Sequence, residues 1–123
     1  MSNSRPLVFV VDDDKAVRDS LKFALELEGF EVQPCAGGCE LLAHKHLAQA
    51  ACLVIDYHMP HMDGCELVAA LRRRSCHIPV ILITSEVTCW LRRLAHTMGV
   101  RHVIEKPLLD NGLLEALQAY RLS

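Results

Sequence analysis

The chain has 123 residues, 51% hydrophobic and 23% charged, with a formal net charge of −2 at neutral pH. That length suits one folded domain over residues 1–123, and the balance excludes a disordered chain and a basic field that would gather nucleic acid. No apolar run is long enough to cross a bilayer, and the polar start MSNSRP is no signal peptide, so a cytoplasmic protein without membrane contact is expected.

Apolar runs alternate with helical patterns from one end to the other. LVFVV (7–11) has no polar interruption and predicts a strand buried on both faces. Val17, Leu21, Ala24 and Leu25 then share one helical face, and Gly29 ends that helix. FEVQPC (30–35) alternates as a strand does, and a short helix is predicted from about Cys39 to His46. CLVI (52–55) is a second fully buried strand. Asp63 caps the helix that follows, which turns Leu67, Ala70 and Leu71 inward and closes on Arg72, Arg73 and Arg74. Those arginines read as a solvated last turn whose charges complement the helix dipole. PVILIT, from Pro79, predicts a central strand; Val87, Leu91, Leu94 and Met98 mark a helix stopped by Gly99. A strand at His102–Ile104 and a helix at Leu113–Tyr120 complete five strands and five helices, an α/β pattern that implies a parallel sheet covered on both faces.

Six cysteines, at 35, 39, 52, 65, 76 and 89, are scattered among apolar residues, and reduced, mostly buried thiols are expected. Cys35, Cys39, His44 and His46 lie close in sequence, but C-x3-C with H-x-H matches no common zinc spacing.

The first strand runs into Asp12-Asp13-Asp14 and the third into Asp56. In an open parallel sheet all carboxyl ends share one edge, where ligands bind. Asp12, Asp13 and Asp56 should therefore converge, and carboxylates about 5 Å apart repel by roughly 3 kcal/mol per pair at an effective dielectric near 20. Such a group needs a proton or a cation among its members. An all-oxygen set suits Mg²⁺, whose remaining ligand is often a phosphate. Thr84 ends the fourth strand and Lys106 the fifth, adding a hydroxyl and an ammonium at the same edge, as phosphate oxygens require.

VVDDDKAVRDSL, LVIDYHMPHMDG, ILITSE and VIEKP together resemble the receiver domains of bacterial two-component response regulators, the CheY-like family. The resemblance covers nearly the whole chain in order and spacing. It implies a flavodoxin-like fold: a five-stranded parallel sheet, order 2-1-3-4-5, with five helices on both faces. It also implies roles. Asp56 matches the residue that takes a phosphoryl group from a sensor histidine kinase. Asp12, Asp13 and the backbone carbonyl of His58 match ligands that hold Mg²⁺ beside it, and Thr84 and Lys106 match residues that bind the phosphoryl oxygens. Asp14 is then an exposed residue at the start of the first helix. The Lys106-Pro107 peptide is often cis in this family.

The chain departs from the family pattern in two places. Val103 stands where an aromatic ring usually switches with the threonine, and Leu108 where phenylalanine usually follows Lys-Pro. Ser85 is small, as access to the site requires. His58 and Glu86 occupy positions that tune loss of the phosphoryl group in relatives. Trp90 lies beside the 87/91/94/98 stripe, on the helix that with the fifth strand and fifth helix forms the usual partner surface; it is read as core, with an exposed anchor as the alternative.

The leading reading is a stand-alone receiver, not a turnover enzyme, acting as a monomer or weak dimer through a downstream effector or a phosphotransfer protein. A phosphatase with an aspartyl nucleophile would need a second acid at position 58, where His58 stands. A degenerate receiver, serving as a phosphorylation-independent interaction or dimerisation module, is the remaining alternative; Val103 and Leu108 support it and the five filled site positions oppose it.

Overall fold

The structure is a computed structural model and describes residues 5–106 and 112–121. Strands β1 (Leu7–Val11), β2 (Glu31–Cys35), β3 (Cys52–Asp56), β4 (Val80–Thr84) and β5 (His102–Glu105) alternate with helices α1 (Lys15–Leu27), α2 (Gly38–Leu42), α3 (Gly64–Arg73), α4 (Cys89–Thr97) and α5 (Gly112–Arg121). All strand pairs are parallel and the sheet order is β2-β1-β3-β4-β5, as expected from the sequence.

The uninterrupted apolar runs reflect burial on both faces. Phe9, Val11, Leu53, Ile55 and Leu82 point into a core with residues of α2, α3 and α4, including Leu41, Leu67, Leu71 and Leu91. Their neighbours Val8, Val10, Val54, Ile81 and Ile83 point the other way, onto Leu21 and Leu25 of α1 and Leu117 of α5. Gly29 and Gly99 follow α1 and α4 at φ 95° and 80°, the left-handed conformation that lets a chain turn out of a helix.

Several local expectations need correction. The second helix does not reach His46: it ends at Leu42, and a 3-10 turn follows at Leu47–Gln49. His44 is the physical reason. Its ring packs edge-on against Phe9, centroids 4.8 Å apart, and its Nδ1 accepts from the His46 backbone N–H at 3.1 Å, which gives that donor a partner outside a helix. Ala24 of α1 is exposed, because the core-facing side is centred on Leu21 and Leu25. Val87 precedes α4, whose N-cap is Thr88, with its hydroxyl accepting from Leu91 N–H at 3.0 Å. Trp90 is 63% exposed and belongs to no core.

Arg72 is not simply solvated. Its guanidinium donates to three carbonyls, Met98 at 3.1 Å, Cys76 at 2.9 Å and Ile78 at 3.2 Å, so it ties the end of α3 to its following loop and to the end of α4. Arg74 similarly donates to Leu42 O at 2.8 Å. All six cysteines are free; Cys35, Cys52 and Cys65 are buried, Cys76 is intermediate, and Cys39 and Cys89 are exposed. Pro107, with the Lys106-Pro107 peptide, and Leu108 lie outside the described residues.

Candidate functional site

The register brings four strand ends to one rim. β1 leads into Asp12, β3 ends on Asp56 opposite Ile83, and Thr84 at the end of β4 lies opposite Glu105, one residue before Lys106. Asp12, Asp13 and Asp56 each offer a carboxylate oxygen within 4.8 Å of the others, the one such potential metal-holding group found among the described residues. Asp12 and Asp56 are buried and Asp13 is exposed, so the group opens to solvent on one side.

Local hydrogen bonds fix the turns that carry Asp12 and Asp56. Asp12 Oδ1 accepts from Asp14 N–H at 2.9 Å, and Arg18 donates to the Asp12 carbonyl at 2.8 Å, fastening the turn between β1 and α1. Asp14 points away as the N-cap of α1, accepting from Ala16 N–H at 2.9 Å, which leaves Asp12 and Asp13 for the rim. Beyond Asp56, Tyr57 N–H donates to Ile83 O and Gly64 N–H to Tyr57 O, both at 2.8 Å. A Cβ on Gly64 would stand 2.7 Å from the Asp56 carbonyl, so only glycine lets α3 start this close to β3. Asp63 caps α3 as expected, and Glu66 completes a reciprocal capping box with it. The D-x-x-E spacing was a readable signal for that box. Arg18 has no comparable signal, since its partner is a backbone carbonyl.

Lys106 supplies the positive charge. Its Nζ lies 3.1 Å from Asp12 Oδ2 and 3.2 Å from Asp56 Oδ1, bridging two carboxylates from different strands. Burial, then the neighbouring Asp12 charge, raises the pKa of Asp56, and Lys106 only partly offsets this. Burial works to lower the Lys106 pKa, but its hydrogen bond to Asp12 and the charge of Asp56 outweigh it and the net shift is upward. The ammonium is thereby kept while Asp56 is made costly to ionise.

Thr84 is fully buried at the rim, but its hydroxyl is turned into a local loop: it donates to Glu86 O at 3.2 Å and accepts from Glu86 N–H at 3.3 Å. The Thr84 carbonyl accepts from Lys106 N–H at 2.7 Å, which links the two residues through the backbone. His58 is exposed two residues after Asp56, with its ring edge against Tyr57 at 4.7 Å. Ser85 and Glu86 are exposed, and Val103 is half-buried against the core below α4. The arrangement can hold a hard cation, and can neutralise an anion arriving at Asp56.

Comparison with known proteins agrees with this geometry. The family model for the response regulator receiver domain matches residues 8–118. The chain is 35% identical over 119 residues to the transcriptional regulatory protein FixJ of Azorhizobium caulinodans, covering 97% of this chain and 56% of that protein. It is 34% identical over 110 residues to the C4-dicarboxylate transport transcriptional regulatory protein DctR of Rhodobacter capsulatus, covering 88% and 56%. The chain thus spans about half the length of these curated relatives. Among solved structures, Vibrio cholerae chemotaxis protein CheY4 superposes with a TM-score of 0.87 at 29% identity, covering 95% of this chain and 99% of that one. FixJ-N superposes with a TM-score of 0.84 at 32% identity, covering 97% and 95%.

Proposed function

Because the chain belongs to the response regulator receiver domain family of two-component systems, we propose that it takes a phosphoryl group on Asp56 from a sensor histidine kinase. The supporting observation is the three-carboxylate rim with Lys106 bridging Asp12 and Asp56. The family is one of regulators rather than turnover enzymes.

The donor set fits Mg²⁺. All three side chains offer hard oxygens within 4.8 Å of one another, and octahedral coordination at about 2.1 Å spaces ligands roughly 3–4 Å apart. Asp12, Asp13, Asp56 and the His58 backbone carbonyl would hold the ion. When bound, it would offset the crowded negative charge and draw charge from phosphoryl oxygens.

In the proposed step an Asp56 carboxylate oxygen attacks the phosphorus of a phosphoimidazole. The new O–P bond forms as the N–P bond breaks, and the bonding pair stays on the imidazole nitrogen. Lys106 shifts from the carboxylates toward the incoming oxygens, where its charge is needed. Thr84 must release Glu86 to donate to a phosphoryl oxygen, which rearranges the loop after β4. With Val103 at the usual aromatic position, no ring follows that movement. The output passes to a downstream effector or by onward transfer to a phosphotransfer protein, in the cytoplasm.

Intact mass after incubation with Mg²⁺ and a small acyl phosphate tests this reading. One added phosphoryl group is expected on the wild-type chain, and none on Asp56→Asn or with chelator present. A wild-type chain that stays unmodified with Mg²⁺ would overturn it in favour of an interaction-only module.

A further inference from the structure

Helix α1 begins with a cation where its dipole favours an anion. The first turn holds no acidic residue, and Arg18 lies at the end of that turn. The residue is half-buried, and its guanidinium reaches back past the N-cap, where Nη1 donates to the Asp12 carbonyl at 2.8 Å. A cation held in an unfavourable field for one backbone oxygen directs attention to what that oxygen controls.

The Asp12 carbonyl belongs to a peptide unit shared with Asp13. Because that unit is planar, fixing its oxygen also fixes the direction in which the Asp13 N–Cα bond leaves it. The preceding unit is tied as well, since Asp12 N–H donates to Cys35 O at 3.1 Å. Asp13 depends on this more than its neighbours do. Asp12 and Asp56 share Lys106 at 3.1 and 3.2 Å, and Asp12 Oδ1 also accepts from Asp14 N–H. The Asp13 carboxylate is exposed, and among the described residues it has neither a hydrogen bond nor an ion pair. Its backbone is what brings it within 4.8 Å of the other two.

We propose, resting on the reading of this rim as a Mg²⁺ site, that Arg18 is a positioning residue: by holding the Asp12–Asp13 peptide it sets Asp13 as a ligand beside Asp12 and Asp56. Mg²⁺ demands near-ideal octahedral geometry at about 2.1 Å, so a carboxylate carried on a loose turn binds it less well. The sign of the charge separates this role from a through-space one. Removing a cation near a cation site strengthens binding by Coulomb's law alone. In a folded variant, weaker binding after loss of Arg18 therefore reports lost positioning.

Mg²⁺ titration of the whole chain, followed by backbone amide NMR with no phosphodonor present, tests it; the same spectra show whether each variant is folded. Arg18→Met is expected to raise the Mg²⁺ dissociation constant about tenfold, as loss of groups that orient metal ligands does. Arg18→Lys should recover most of that, because a single carbonyl needs only one donor. Arg18→Gln, shorter than arginine, should behave as Arg18→Met and takes its place if the methionine variant does not fold. Combined with Asp13→Asn, Arg18→Met should change the affinity little, since Asp13 is the residue it acts through. A role in overall stability would persist in that combination. A folded Arg18→Met that binds Mg²⁺ as tightly as wild type or more tightly, or whose loss persists undiminished alongside Asp13→Asn, would overturn the proposal and leave the Mg²⁺ site standing. A wild-type chain with no Mg²⁺-dependent shifts at Asp12, Asp13 and Asp56 would remove both.

Discussion

Asp56 shows how one residue can be costly to the fold and still be kept. It ends a fully buried strand beside Asp12, and both burial and that neighbour raise its pKa from the ordinary 3.8. An acid whose folded pKa is raised stabilises the fold fully below the unfolded value, and that contribution is lost as pH rises through the folded value. At neutral pH the ionised side chain is therefore a net cost. Asp56→Asn should raise the melting temperature at pH 7 without metal, with the gain shrinking toward pH 4; thermal unfolding in chelator at both values checks this. His58, exposed and edge-on to Tyr57, follows Asp56 by two residues and is proposed to act on the phosphoryl group proposed there. Its imidazole can donate to an oxygen or exclude the attacking water, so His58→Asn should change the decay rate of phosphorylated protein several-fold. Equal decay in the two proteins would remove that role.

At the scale of elements, the clips between helices and loops matter as much as the helices themselves. Arg72 satisfies three carbonyls at the junction of α3, its following loop and α4. Hydrogen bonds to a charged donor contribute more than neutral ones, so Arg72→Ala should destabilise the fold by about 2–3 kcal/mol, read from the urea midpoint. Lysine at this position should recover little, because one ammonium cannot reproduce the planar fork. The α3 pattern was legible in the sequence, with Asp63 opening it and Leu67 and Leu71 turned inward. The role of Arg72 was not, because its partners are backbone carbonyls as distant as Met98 and no side-chain pattern encodes them. Helix α2 misled for a related reason: the residues through His46 have acceptable helical spacing, but the packing of His44 on Phe9 decides where the helix stops.

Across the whole molecule, the two cores on either side of the sheet determine what each thiol can do. Burial raises the thiol pKa to about 12 at Cys35 and Cys52 and about 11 at Cys65, keeping them protonated at neutral pH. Ellman's reagent at pH 8 should modify Cys39 and Cys89 quickly, Cys76 more slowly, and the three buried thiols only after denaturation. Fast reaction of more than three thiols in the folded protein would contradict the packing described above. The same two-sided burial holds the strand ends in line, so that Asp12, Asp56, Thr84 and Lys106 face one rim although they come from four separate segments.

The sequence by itself determined the order of the strands and helices, and that the acidic, hydroxyl and ammonium side chains stand at or just beyond the ends of four of the five strands. Those are local properties, carried by apolar periodicity and by the turn residues that interrupt it. Only the tertiary structure decided that Lys106 bridges Asp12 and Asp56, that the Thr84 hydroxyl is held by Glu86, that Arg72 joins two helices, and that Trp90, Phe23 and Leu27 face solvent. The reason is that exposure and long-range pairing depend on which faces the sheet and its helices have already covered. A residue's neighbours along the chain do not specify that.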